Sequence, residues 1–168
     1  LNGDEVMIDV GSDAVIVSGD SSFDGYTLSV STPSVTNHSN QITLRSVGTG
    51  SNEILIDGSS VLFESVTIGT LVASDSNLAI SFGANATLAA MEATLRSVVF
   101  TSDKGGAEAD NSTRIMTTKI EDTNGNANNY TTSVTISGSV NHPPVANGVL
   151  SPVGNVRGSD IVYHLPIN

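Results

Sequence analysis

The sequence predicts an all-β fold, a sandwich or barrel of short antiparallel strands with one short crossover helix. Three observations predict it. Apolar residues recur at every second position in short runs, the signature of half-buried strands. Asp24-Gly25, Asp57-Gly58 and Asn124-Gly125 punctuate these runs with residues that tolerate positive φ. One segment alone switches to helical spacing. Many short strands with turns between them argue against a parallel α/β sheet.

The elements follow in chain order. Val6, Ile8 and Val10 alternate first, then Tyr26, Leu28 and Val30, then Ile42 and Leu44. Ile54–Ile56 and Val61–Phe63, joined through Asp57-Gly58-Ser59, form the clearest hairpin. Leu78, Ile80 and Phe82 supply another strand. From Asn85 to Val98 the chain reads NATLAAMEATLRSV, with Leu88, Met91 and Leu95 on one helical stripe and Asn85 or Thr87 placed to cap it. That stripe reads as core contact, and the helix as a bridge between two strands. Ser102–Ser112 is a polar, acidic surface loop. Arg114–Ile120 returns to strand, and Tyr130, Thr132, Val134 and Ile136 close the series. Asn141-His142-Pro143-Pro144 stops any strand, because proline lacks the N–H donor. The segment after it is too short for a core of its own.

Charge and composition exclude several functions. The 168 residues carry 6 Lys+Arg against 17 Asp+Glu, a formal net charge of −11. So few cations cannot coat a phosphate backbone, and nucleic acid is excluded as a partner. With no cysteine, disulfides, thiolate zinc sites and cysteine nucleophiles are excluded. No run approaches the ~20 apolar residues that span a bilayer as a helix. LNGDEVMIDV lacks the basic start and apolar run of a signal peptide, and reads as the start of an excised piece. The surplus of carboxylates points to a cationic partner, calcium first.

Several blocks in fixed order carry a resemblance. They are SSFDGYTLSVS, QITLRSVGTGSNEILIDGSSVLFESVTIGTL, LAISFGANATLAAMEATLRSVVFTS, RIMTTKIEDTNGN and VNHPPVAN. From Glu5 to Val145 the chain resembles a cadherin-like tandem repeat of very large secreted bacterial proteins, including RTX-type adhesins and biofilm proteins. The tail, VRGSDIVYHLPIN, resembles the start of a dystroglycan-type cadherin repeat. The resemblance implies an Ig-like or cadherin-like antiparallel β-sandwich, strung in series, non-enzymatic, extracellular or on the bacterial cell surface, and stiffened by calcium near the junctions. Its domain plan is a repeat over 1–140, a proline-containing linker over 141–148, and the first strand of a truncated next repeat over 149–168. One departure stands out. Family linkers commonly carry Asn-Asp before the proline segment, and here His142 replaces the aspartate. Neutral imidazole is a poor ligand for a hard cation, so calcium at that junction loses a carboxylate.

The candidate calcium ligands are Glu5, Asp20, Asp24, Asp122, Asn124 and Asn126. Asp20 and Asp24 lie in the loop beside Gly25, with Glu5 as a candidate third member of the cluster, and the family pattern places acids at the positions of Asp20 and Asp24. The plainer reading of this loop is a hairpin turn in which aspartate caps its own backbone. Asp122-Thr123-Asn124-Gly125-Asn126 repeats oxygen side chains at alternate positions, like the opening of an EF-hand loop, but lacks the Gly and Glu that complete one. A turn held by Asn and Gly is the stronger reading there. Asp103, Glu108 and Asp110 read as a solvated charged loop, and Glu53, Asp57 and Asp75 as surface charges.

No catalytic spacing appears: GxSxG, HExxH and a phosphate loop are absent, and His38, His142 and His164 are scattered. The sequence therefore reads as a non-enzymatic extender repeat of a giant surface or secreted adhesin, with neighbouring repeats of the same chain as its partners. The second reading is a ligand-binding adhesin domain for a peptide or glycan on a host or biofilm surface. The chain is only 4% aromatic, with Tyr26, Tyr130 and Tyr163 as available rings, which weighs against sugar stacking. The tail segment Asp160–Ile167, left without a partner, either stays disordered or adds to a sheet edge, its own or a neighbouring molecule's; the latter would give a tail-mediated dimer.

Overall fold

A computed structural model describes residues 5–9, 11–33, 40–102 and 113–135. Val10, Ile136, His38, His142, His164, the acidic loop at Asp103, Glu108 and Asp110, the linker and the tail lie outside the described residues. The strands are β1 (Val6–Met7), β2 (Thr27–Ser31), β3 (Asn40–Leu44), β4 (Ile54–Asp57), β5 (Ser60–Phe63), β6 (Val66–Ser74), β7 (Asn77–Phe82), β8 (Val98–Ser102), β9 (Thr113–Glu121) and β10 (Ala127–Thr135). One helix, α1 (Leu88–Arg96), links β7 to β8. The larger sheet runs β10-β9-β2-β7-β6-β5-β4 and the smaller runs β1-β8-β3. Every pairing is antiparallel. The predicted all-β sandwich with one short helix is the observed architecture.

The alternating runs place their apolar side chains in one core. Leu28, Val30, Leu78, Ile80, Phe82 and Met116 face inward from the larger sheet, and Ile42, Leu44, Val98 and Phe100 from the smaller. Each side chain of this size contributes about 1.5–3 kcal/mol by leaving water. α1 begins at Thr87, whose hydroxyl accepts the Ala90 N–H at 3.2 Å. The cap satisfies one of the donors that a helix start leaves open. Met91 is buried, and Leu88 and Leu95 pack against the core, so the stripe is core contact as expected. Ala90 and Ala93 are also buried, letting the helix backbone approach closely.

The Ile54–Phe63 hairpin forms with Asp57 opposite Ser60 and Gly58 at φ +59°. β6 was not apparent from alternation, because only Ile68 in its nine residues is buried. Its register against β5 shifts between Val61 and Leu62, beside Gly69. A Cβ at Gly69 would sit 2.5 Å from the Ser81 carbonyl oxygen, so the backbones meet there only because the residue is glycine.

Candidate functional site

The β9–β10 hairpin turns at Asp122–Asn126. Oδ1 of Asp122 accepts the backbone N–H groups of Asn124 and Asn126, each at 2.8 Å, and Oδ2 accepts the Asn126 side-chain amide at 2.8 Å. Gly125 takes φ +84°, and its N–H reaches the Asp122 carbonyl at 3.2 Å. The carboxylate is thus the hub of the turn, as an Asx-type turn requires. The Asn126 side-chain amide, followed by the backbone donors, holds the Asp122 pKa below the usual carboxylate range.

A second segment reaches the same place. The Tyr26 hydroxyl donates to Oδ2 of Asp20, which also accepts the Ser18 hydroxyl at 3.0 Å. The Tyr26 pKa is pushed up to about 12, first by its hydrogen bond to Asp20, then by partial desolvation and by the charges of Asp20 and Asp122. Tyr26 is itself fixed by an edge-on contact with Phe23, with ring centroids 5.3 Å apart. Gly25, at φ +81°, donates its N–H to the Phe82 carbonyl, and a Cβ there would lie 2.8 Å from the Thr123 methyl. The loop before β2 and the turn after β9 are therefore packed together.

Between them lies a groove of about 350 Å³, lined among others by Ser18, Asp20, Tyr26, Asp122, Asn126 and Asn128. The fold thus brings Asp20 together with Asp122 and Asn126, and Asn124 sits in the same turn. It does not bring Asp24 or Glu5 to the groove. Asp24 is exposed in its own turn, where its N–H points at the Ser22 hydroxyl at 3.5 Å. Glu5 lies 3.8 Å from Arg45, at the start of the smaller sheet. Tyr26 and Ser18 were missed as partners of Asp20. Ser18 lies two residues before Asp20 and Tyr26 six after it, beyond the Asp24-Gly25 turn, and that spacing alone does not mark the contact.

Calcium takes six to eight oxygens. Among the described residues no group of three or more His, Cys, Asp or Glu converges on one point. Two carboxylates, hydroxyls and side-chain amides do meet in the groove. Oδ1 of Asp122 accepts two N–H donors and Oδ2 accepts one, so the carboxylate keeps one acceptor position, on Oδ2. Asp20 and Asp122, with the Ser18 and Tyr26 hydroxyls and the Asn126 amide, are the groove-lining residues whose oxygens could hold a cation there.

A further feature lies on the same flank. The segment before Asp20 belongs to neither sheet. Arg96 donates to the Ala14 carbonyl from Nε at 2.9 Å and from a terminal nitrogen at 2.6 Å, and Glu92 accepts the Ile16 N–H at 3.0 Å. Side chains of α1 thus take the place of a strand partner for this segment at Ala14 and Ile16. No helix of the described residues is long and apolar enough to cross a membrane. Comparisons with protein-family models, with curated proteins and with solved structures found no match.

Proposed function

We propose that this chain is a non-enzymatic structural repeat of a large extracellular or cell-surface bacterial adhesin, an extender module stiffened by calcium. The observation that carries the reading is the meeting of Asp20 and Asp122. They arrive from distant parts of the chain at one groove, alongside amide and hydroxyl oxygens. In a chain of net charge −11, a groove lined by two carboxylates suits a divalent cation. Calcium would then tie the loop before β2 to the β9–β10 turn, with any remaining ligands from water or a neighbouring repeat. Thermal unfolding with calcium and with chelator tests this. A ligand that binds only the folded state raises the midpoint; superimposable curves would remove calcium from the proposal.

A second reading, a domain that recognises a peptide or glycan, is favoured by one feature of the same groove. It presents the polar end of Tyr26 beside a carboxylate, an arrangement that can exchange hydrogen bonds with a polar ligand. Binding to peptide and glycan arrays separates the two: silence on both supports the structural repeat.

A further inference from the structure

Among the described residues an acid or an amide precedes glycine at Asp24-Gly25, Asp57-Gly58 and Asn124-Gly125. At such a step the glycine nitrogen can attack the side-chain carbonyl carbon of the residue before it, because no Cβ on the glycine crowds the approach. The three steps differ in chemistry and in setting. An aspartate side chain is ionised at neutral pH, and its negative charge resists a nucleophile. Gly25 is also held in place: its N–H donates to the Phe82 carbonyl at 2.9 Å, and a Cβ there would lie 2.8 Å from the Thr123 methyl. Asn124 carries a neutral amide that can leave as ammonia. Asn124 and Gly125 are both exposed at the tip of the β9–β10 turn, and a Cβ at Gly125 would meet nothing within 4 Å. The Gly125 N–H reaches the Asp122 carbonyl at 3.2 Å, the long end of the hydrogen-bond range, so the nitrogen is weakly held. Every other asparagine of the described residues precedes a residue with a side chain, and Asn40 is buried as well. Asn2-Gly3 and Asn147-Gly148 share the motif but lie outside the described residues.

The reaction needs water and nothing else. The Gly125 nitrogen gives its proton to solvent and bonds to Cγ of Asn124. The Cγ–Nδ2 bond breaks, Nδ2 takes a proton from solvent and leaves as ammonia, and a cyclic succinimide remains. Water then opens the ring. Attack at Cγ breaks its bond to the Gly125 nitrogen and leaves aspartate. Attack at the main-chain carbonyl carbon of Asn124 leaves isoaspartate, in which the main chain runs through the side-chain methylene. That second product bears on the turn. Asp122 holds both sides of the Asn124–Gly125 bond: Oδ1 accepts the N–H groups of Asn124 and Asn126, and Oδ2 accepts the Asn126 side-chain amide. In return the Asp122 N–H donates to the Asn126 carbonyl at 2.9 Å. A methylene inserted between Asn124 and Gly125 puts these contacts out of step. Asp122 and Asn126 both line the groove shared with Asp20 and Tyr26, so the change reaches that groove.

We infer that Asn124 is a site of spontaneous deamidation in the folded protein, and that isoaspartate formed there releases Asn126 from Asp122 and loosens the side of the groove that the two line. This inference does not depend on the calcium reading. The test incubates the full chain, folded and in urea, at mildly alkaline pH, beside the full chain carrying Asn124→Gln. Glutamine must close a larger ring and loses ammonia far more slowly. Peptide mass mapping locates each converted amide, enzymatic methylation marks isoaspartate, and hydrogen exchange follows the turn. In the folded chain the acid should form at position 124 before it forms at any other described asparagine. Its rate should lie within ~10-fold of the rate in urea, because an exposed turn opens at little cost. The amides of Asp122 and Asn126 should exchange ~10-fold or more faster in the isoaspartyl product, with β4–β5 unchanged. The Asn124→Gln chain should show neither change. A folded chain in which Asn124 stays intact would overturn the inference, since the turn would then protect it. Earlier conversion at another described asparagine would do the same. Isoaspartate at 124 with unchanged exchange at Asp122 and Asn126 would overturn the structural consequence.

Discussion

The Tyr26 hydroxyl donates its hydrogen bond to the Asp20 carboxylate, six residues away across the Asp24-Gly25 turn, and the pair lines the groove that Asp122 also lines. Its first consequence is a titration. Folding raises the Tyr26 pKa from 10.0 to about 12. A raised pKa means the folded state holds the proton more tightly, so the stabilisation is complete below pH 10.0 and is lost as pH rises toward about 12. Ultraviolet titration of phenolate should show one tyrosine ionising late, and Asp20→Asn should bring it back toward the ordinary value. A late tyrosine that persists in Asp20→Asn would place the cause elsewhere.

Asp122 predicts the opposite limb. Its pKa is lowered, so its contribution is present above the ordinary carboxylate value of 3.8 and disappears as pH falls through the lowered value. Asp122→Asn sets an amide donor against the Asn126 amide donor. The substituted chain should melt lower at neutral pH and lose less further stability on acidification. Parallel midpoint–pH curves for the two chains would show that the carboxylate is not the hub of the turn.

Arg96 and Glu92 hold the segment before Asp20 in place of a sheet partner. Arg96→Ala removes two donors from the Ala14 carbonyl. Hydrogen bonds to charged groups are worth about 1.5–3 kcal/mol each when well shielded, and partial exposure brings the expected cost to about 1–2 kcal/mol. Arg96→Lys should recover only part of it, because the two-pronged contact needs the guanidinium fork. Urea melts check the cost. Hydrogen exchange should show faster loss of protection at Ile16, with the amides of β7 unchanged.

The core and the strand crossing at Gly69 give sharper contrasts. Ile80 is fully buried, and Ile80→Ala should cost about 2–5 kcal/mol. Gly69→Ala should cost about 1–3 kcal/mol, because its methyl meets the Ser81 carbonyl oxygen, a backbone atom that cannot rotate away. Val17 is 97% exposed, and Val17→Ser should stay within about 0.5 kcal/mol. Denaturant midpoints on the three chains rank these expectations.

The fold was legible where one face of an element is buried and the other wet. Leu78, Ile80 and Phe82 alternate cleanly because β7 lies mid-sheet with its inner face on the core. The helix was legible because Thr87 caps it and Met91 anchors it. β6 was hidden because Ile68 alone is buried, leaving no alternation to read. The site was half legible. Asp122, Asn124 and Asn126 are close in sequence, and a turn must gather them. Asp20 meeting Tyr26 depends on how the chain folds back at Gly25, and Asp20 facing the Asp122 turn depends on β2 lying next to β9. Spacing along the chain reports neither. Glu5 and Asp24 were grouped with Asp20 by proximity in sequence or by the resemblance, and the β1 pairing and the exposed turn carry them elsewhere.

Calcium-dependent melting of the full chain, run beside the Asp20→Asn and Asp122→Asn chains, tests the structural-repeat proposal most directly. The proposal predicts a midpoint that rises on adding calcium, falls back with chelator, does not rise with magnesium at the same concentration, and loses its calcium response in both substituted chains. Superimposable curves with calcium and chelator, or a calcium response that survives both substitutions, would contradict it.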